Sequence, residues 1–258
     1  VTCMVFDPDS QWLASADESG VLLVSEARSG KALGQPLQHG SPVRRLQWSG
    51  SLLAAVTDSN VCLWDTAGAQ PKPRAVVPLP QVQVLDLSPD GELMIAAGRE
   101  PFAQVFATRT GQPVGHRLSH PGPVRHVRFS PEGQRVATAG QGNAARIWHA
   151  ATGEPAIPFI RAGDNVTCVA FSPDGQTLLT GSAAGVVSLW DARTGAPKGD
   201  LIRCSKGVLS AEFSPTGESV AMTDDEDHVH LQHVRSTLPL MTTVPFTGAP
   251  GVRFNTQG

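Results

Sequence analysis

One template recurs about every forty residues along this chain, and a repeat of that length specifies stacked units that cannot fold singly. The copies are VTCMVFDPDS (1–10), VQVLDLSPDG (82–91), VRHVRFSPEG (124–133), VTCVAFSPDG (166–175) and VLSAEFSPTG (208–217). A sixth, VRRLQWSGS (43–51), has lost part of its turn. The large apolar anchors are Phe6, Trp48, Leu87, Phe129, Phe171, Phe213 and Phe254, at steps of 42, 39, 42, 42, 42 and 41 residues.

Every unit has the same internal order. An alternating segment such as VRHVRF (124–129) comes first, and the two-residue strand period places Arg125, Val127 and Phe129 on one face. Ser-Pro-Asp-Gly (88–91, 172–175) follows as a turn. Pro presets φ at its second position, Ser or Asp bonds back to the backbone at the first, and Gly suits the last. Next are a second apolar run such as QTLLTGS (176–182), a Gly/Asp/Asn turn, and a third strand ending in Trp-Asp or a relic of it: VCLWD (61–65), ARIWH (145–149), VSLWD (187–191). Thr-Gly or Ser-Gly then opens a fourth, Pro-interrupted strand such as QPVGHRLSH (112–120), and Pro marks it as the edge. Each unit is therefore expected to be a four-stranded antiparallel sheet with its last strand outermost.

These residues resemble the WD-repeat β-propeller family, and the resemblance runs across the whole chain. It rests on the period, on Trp64-Asp65 and Trp190-Asp191, on the Ser-Pro-Asp-Gly turns, and on His39 and His120 four residues before the next repeat's first Val. The resemblance implies an all-β propeller of four-stranded antiparallel blades: six complete WD-type repeats plus the first strand of a seventh. The expected units within a single domain spanning 1–258 are 1–42, 43–81, 82–123, 124–165, 166–207 and 208–248, with another starting at 249–258. The chain opens directly on a first strand and stops just after GVRFNTQG (251–258), which reads as a fragment of a larger ring. The phrasing TGQPVGHRLSHPGPV (110–124) is most similar to bacterial WD-repeat proteins, in which such propellers often follow a Ser/Thr kinase domain.

Composition limits the function classes. With 20 basic and 23 acidic residues the charge is nearly balanced, against a general nucleic-acid or anionic-membrane binder. No apolar stretch approaches membrane-spanning length. Cys3, Cys62, Cys168 and Cys204 lack metal spacing, and Cys3 and Cys168 hold the same repeat position in separate units. Reduced thiols suit a cytoplasmic protein.

Catalytic signatures are missing. Gly140-Gln141-Gly142-Asn143-Ala144-Ala145 imitates a dinucleotide pattern but runs into a strand rather than a helix. His228 and His230 share a strand face beside Asp224, Asp225, Glu226 and Asp227, an imidazole–carboxylate set that could hold a divalent ion. The competing reading is an exposed acidic hairpin turn, and no third well-spaced ligand is evident. No metal and no cofactor are expected.

The resemblance also assigns roles. In WD repeats a His, a second-turn Asp, a second-strand Ser/Thr and the third-strand Trp form a buried structural network. Its members here are His39, Asp58 and Trp64 in the second unit, His120 and Trp148 in the fourth, where Gly142 replaces the Asp, and Trp190 in the fifth. The second residue of each repeat is implied near the mouth of the central channel: Thr2, Arg44, Gln83, Arg125, Thr167 and Leu209. Second-turn residues on the same face are Ser19, Asp58, Glu100, Gly142, Ala184 and Glu226. Such loops carry no packing duty and vary with the partner. The expected function is a non-enzymatic scaffold binding a protein or peptide through Thr2, Arg44, Gln83, Arg125, Thr167, Leu209, Asp58, Glu100 and Glu226. The alternatives are a regulatory or sensor propeller of a bacterial Ser/Thr kinase, and an enzyme using Asp58, Glu100, Glu226 and the two arginines in the channel mouth. Buried, convergent carboxylates would favour the enzyme.

Overall fold

A computed structural model of the protein describes residues 1–68, 70–199, 201–204, 206–226 and 228–234, and the backbone of 239–245. The expected seventh-unit strand at 249–258 lies outside the described residues. All regular structure among these residues is β, in six four-stranded sheets with strands in sequential order. Among the described residues no helix is long and apolar enough to cross a membrane.

The chain divides into two compact units, Val1–Arg99 with Gln104–Val114, and Glu100–Ala103 with Gly115–Gly258. The first unit holds the sheet β1 (Cys3–Phe6), β2 (Trp12–Ala16), β3 (Val21–Glu26), β4 (Leu37–Gln38). It also holds β5 (Val43–Ser49), β6 (Leu52–Thr57), β7 (Asn60–Asp65), β8 (Lys72–Pro78). The third sheet, β9 (Val84–Leu87), β10 (Leu93–Ala97), β11 (Phe102–Ala107), β12 (Pro113–Ser119), contributes residues to both units. The second unit continues with β13 (Val124–Phe129), β14 (Arg135–Gly140), β15 (Ala144–His149), β16 (Ile160–Arg161). Next come β17 (Val166–Phe171), β18 (Thr177–Ser182), β19 (Val186–Asp191), β20 (Ile202–Arg203). The last sheet is β21 (Val208–Phe213), β22 (Ser219–Asp224), β23 (His228–His233), β24 (Pro239–Pro245). Each sheet falls within one of the six repeat intervals.

Strand alternation distributes the core between neighbouring sheets. Within the first unit, Leu53 and Ala55 of β6 pack with Ala14, Ala16, Leu22 and Val24 of the first sheet. Leu52, Ala54 and Val56 point the other way, onto Leu85, Met94 and Phe106 of the third. In the second unit, Ala137, Ala139 and Ile147 meet Val166, Val169 and Leu178. Leu179, Val187 and Leu189 then meet Val208, Val220 and Met222. A middle strand buried at every position, as β6 and β18 are, is thus the mark of a sheet covered on both faces. On the first sheet, Met4 and Phe6 are 65% and 54% exposed.

The Ser-Pro-Asp-Gly turns close as their chemistry requires. Ser88 Oγ donates to Asp90 Oδ1 and accepts the Leu93 amide, and Gly91 N donates to Ser88 O. Ser172, Asp174, Thr177 and Gly175 repeat the arrangement. The Thr-Gly pair before the fourth strand has a second task that its turn chemistry does not disclose. His116 N of β12 donates to Thr152 O at 2.8 Å, latching one outer strand to the next sheet's turn. The approach is so close that a Cβ on Gly115 would lie 2.4 Å from Thr152 C, and one on Gly153 2.3 Å from His116 O.

The structure corrects the alternation read from VRHVRF. Val124 pairs with Gly140 but His126 with Ala139, so Arg125 is an extra residue in a β-bulge. It is exposed, whereas Val124, Val127 and Phe129 are buried, and the three residues expected on one face do not share it. The same irregularity falls at Arg44, Thr167 and Leu209 in β5, β17 and β21. A bulge re-aims one side chain while preserving the strand phase on either side.

Candidate partner-binding site

The network residues come first, because they set the frame beneath the loops. In the fourth sheet Trp148 Nε1 donates to Thr138 Oγ1 at 2.7 Å, and His120 Nε2 lies 2.8 Å from the same oxygen. Burial, reinforced by the nearby Arg146 charge, lowers the His120 pKa to about 4. In the fifth sheet Trp190 Nε1 donates to Thr180 Oγ1 at 2.9 Å. Thr138 and Thr180 were missed in the sequence, although each stands ten residues before its Trp. By strand register Ala55, nine residues before Trp64, is the equivalent in the second sheet, so Trp64 Nε1 donates directly to His39 Nε2 at 3.1 Å, while His39 Nδ1 lies 3.2 Å from Gly20 O.

Asp58 is not part of that network. It is exposed at the bulge, where Arg44 Nε and a terminal amine grip its two oxygens at 2.9 and 3.1 Å. The hydrogen bond from Arg44 draws the Asp58 pKa below the carboxylate range. The bidentate fork of Arg44 therefore already holds one of the chain's own carboxylates.

The other candidates divide by what their side chains do. The Thr2 hydroxyl lies 3.1 Å from Ala16 O and 2.9 Å from Val43 O. Thr167 likewise lies 3.1 Å from Gly181 O and 2.5 Å from Val208 O. Both hydroxyls join the inner strands of consecutive sheets. Gln83, Arg125, Leu209 and Glu100 are exposed. Glu226 is exposed and pairs with Lys206 Nζ at 2.7 Å.

His228 and His230 both turn to Asp224, which is wholly buried. His230 Nε2 is 2.8 Å from Asp224 Oδ2, and the amides of Glu226 and His228 donate to Oδ1 at 3.0 Å. Burial opposes ionisation of Asp224, but these hydrogen bonds outweigh it and hold its pKa below the usual value. Asp224 thus acts as the buried cap of a hairpin. Among the described residues no group of three or more His, Cys, Asp or Glu is arranged to hold a metal ion. Asp227 lies outside the described residues. All four cysteines are free, and burial raises the Cys168 and Cys204 thiols to about 11, with Asp224 adding to the shift at Cys204.

The family model described as WD40, "WD domain, G-beta repeat", matches residues 1–24, 111–149 and 159–191. A chain in the crystal structure of the mitotic checkpoint complex superposes with a TM-score of 0.74 at 19% identity, covering 90% of this chain and 74% of that one. The sheets are WD-type propeller blades. "Periodic tryptophan protein 2" of Arabidopsis thaliana is 28% identical over 134 residues, half of this chain. The matched part spans only 15% of that relative's length. With blades as the frame, the bulge falls on the second residue of the inner strand, the place where an exposed side chain does least packing.

Proposed function

We propose that the chain is a non-catalytic interaction platform whose blades present their inner-strand bulges and adjoining turns to a protein or peptide partner. The observation that carries this reading is the exposure of Arg44, Arg125 and Leu209, each the extra residue of a bulge and so outside the ladder. Chemically varied side chains on a repeated backbone position suit recognition, because changing them leaves the blade intact. The exposed Arg125 and the exposed apolar Leu209 suit a partner that presents polar and apolar groups side by side. The structural relative named above is a chain of the mitotic checkpoint complex, which fits the same role.

The enzyme reading required buried, convergent carboxylates. Asp58 and Glu226 are exposed and neutralised by Arg44 and Lys206, and Glu100 is exposed. Bacterial origin and, as the alternative reading, a regulatory role beside a linked Ser/Thr kinase domain are supported by the phrasing of residues 110–124, and a cytoplasmic location by the free thiols.

The test is affinity capture with cross-linking, comparing the chain with an Arg44→Glu/Arg125→Glu variant. Cross-links clustered on the bulge residues, and partners lost from the variant, are expected. Unchanged partners with cross-links confined to the outer strands would overturn the assignment.

A further inference from the structure

The His120 imidazole, 8% exposed, has a nitrogen that the fold leaves unsatisfied. Thr138 Oγ1 accepts the Trp148 indole proton and has one hydroxyl proton to give, which goes to His120 Nε2. The network thereby assigns the ring's own proton to Nδ1. That N–H is buried and has no acceptor. Native proteins rarely leave such a donor orphaned. In the first unit His39 shows what is missing, since its Nδ1 has Gly20 O at 3.2 Å.

Arg146 supplies the second, independent observation. Its guanidinium carbon stands 4.7 Å over the Trp148 ring and 4.2 Å over the Phe159 ring. Nε donates to Ile157 O at 3.2 Å. Among the described residues no carboxylate pairs with it. The same Phe159 ring meets His120 edge-on, with centroids 5.5 Å apart. One aromatic ring therefore covers both a cation without a counter-ion and a buried donor without an acceptor. The chain does not supply the missing anion from the adjacent turn. Residue 142 is a glycine at φ +102, and a Cβ there would lie 3.0 Å from Pro121 Cβ.

We propose that His120 and Arg146 form a carboxylate-binding site, with Phe159 as its cover. One carboxylate oxygen accepts the Nδ1–H of His120 and the other accepts a terminal N–H of Arg146, whose planar fork suits that geometry. Thr138 and Trp148 hold the imidazole in the required tautomer. Phe159 belongs to the stretch between the isolated bridge at Pro155 and β16, outside the regular ladder, so its displacement breaks no strand pairing. The site uses none of the bulge residues and does not depend on the platform reading.

The experiment uses the full chain, with imidazole ¹⁵N NMR and thermal melting under sodium formate, under sodium chloride of equal ionic strength, and with a short Glu-rich peptide. Formate is expected to move the His120 Nδ1–H resonance and to raise the melting temperature saturably, beyond the effect of chloride. Arg146→Gln should weaken the apparent affinity about tenfold or more, as loss of a charge-assisted bond implies. Arg146→Lys, which keeps the charge and the fold but loses the fork, should weaken it less. Arg117→Gln, which alters a cation over Phe102 instead, should leave binding unchanged. A response to formate alone assigns a free small acid, and a stronger response to the peptide assigns an acidic side chain of a partner. No movement of the Nδ1–H resonance with either would overturn the site and leave a donor satisfied by water.

Discussion

Lowering the pH should weaken the His120–Thr138–Trp148 chain while the apolar blade interfaces are still intact. Burial first, and then the Arg146 charge, bring the His120 pKa from the ordinary 6.5 to about 4. Because the unfolded chain takes up this proton first, the contribution of neutral His120 is complete above about pH 6.5 and fades as the pH falls towards 4. The full span of that shift corresponds to about 3 kcal/mol, of which about 2 kcal/mol is lost by pH 5. Urea denaturation of the chain and of His120→Gln, followed by circular dichroism between pH 7.5 and 5, isolates this one group. Gln can still meet Thr138 but does not titrate. The stability difference between the two proteins should move by about 2 kcal/mol in favour of the variant as the pH drops. A difference constant to within about 0.5 kcal/mol would refute the assignment of a neutral, buried imidazole.

Four further outcomes can be checked by the same denaturation assay. Thr138→Val removes the oxygen that Trp148 and His120 share, and should destabilise by about 2–4 kcal/mol because both buried partners lose a bond. Gly115→Ala puts a Cβ 2.4 Å from Thr152 C at φ +64, so a loss of about 2 kcal/mol or more is expected, and a neutral result would mean that the latch at Thr152 is not formed. Thr167→Val removes the hydroxyl between Gly181 O and Val208 O and should cost about 1–2 kcal/mol, whereas Leu209→Ser at the exposed bulge of β21 should change stability by no more than about 0.5 kcal/mol.

The sheets were legible because their anchors and turns are local signals. Phe129, Phe171 and Phe213 recur with Ser-Pro a residue or two later, and each such turn joins the first two strands of a blade. The bulges were not legible. VRHVRF alternates convincingly, and only the partner strand reveals that Gly140 and Ala139 skip Arg125. Asp58 shows the limit of carrying a role by position. Its residue type and place suited the buried network, but Arg44 on the neighbouring strand offered a nearer cation in solvent. Thr138 could have been found. A hydroxyl within the apolar run of QRVATAG has a matching hydroxyl, Thr180, in QTLLTGS, and each lies ten residues before an indole that needs an acceptor. The exposed carboxylates and arginines were legible as residues but not as pairs, because pairing depends on which strand crosses beside them.

The extra residue in the inner strands makes the chain more sensitive to length than to identity at the exposed bulges. Exchanging Arg125 for another side chain leaves Val127 and Phe129 facing inward, since the bulge absorbs the odd count. Deleting Arg125 acts as a frame error: either the strand rejoins its partner out of phase, turning apolar side chains to water, or Val124 lets go of Gly140. At an exposed bulge such as Arg125, evolution can therefore change the letter far more readily than it can drop it.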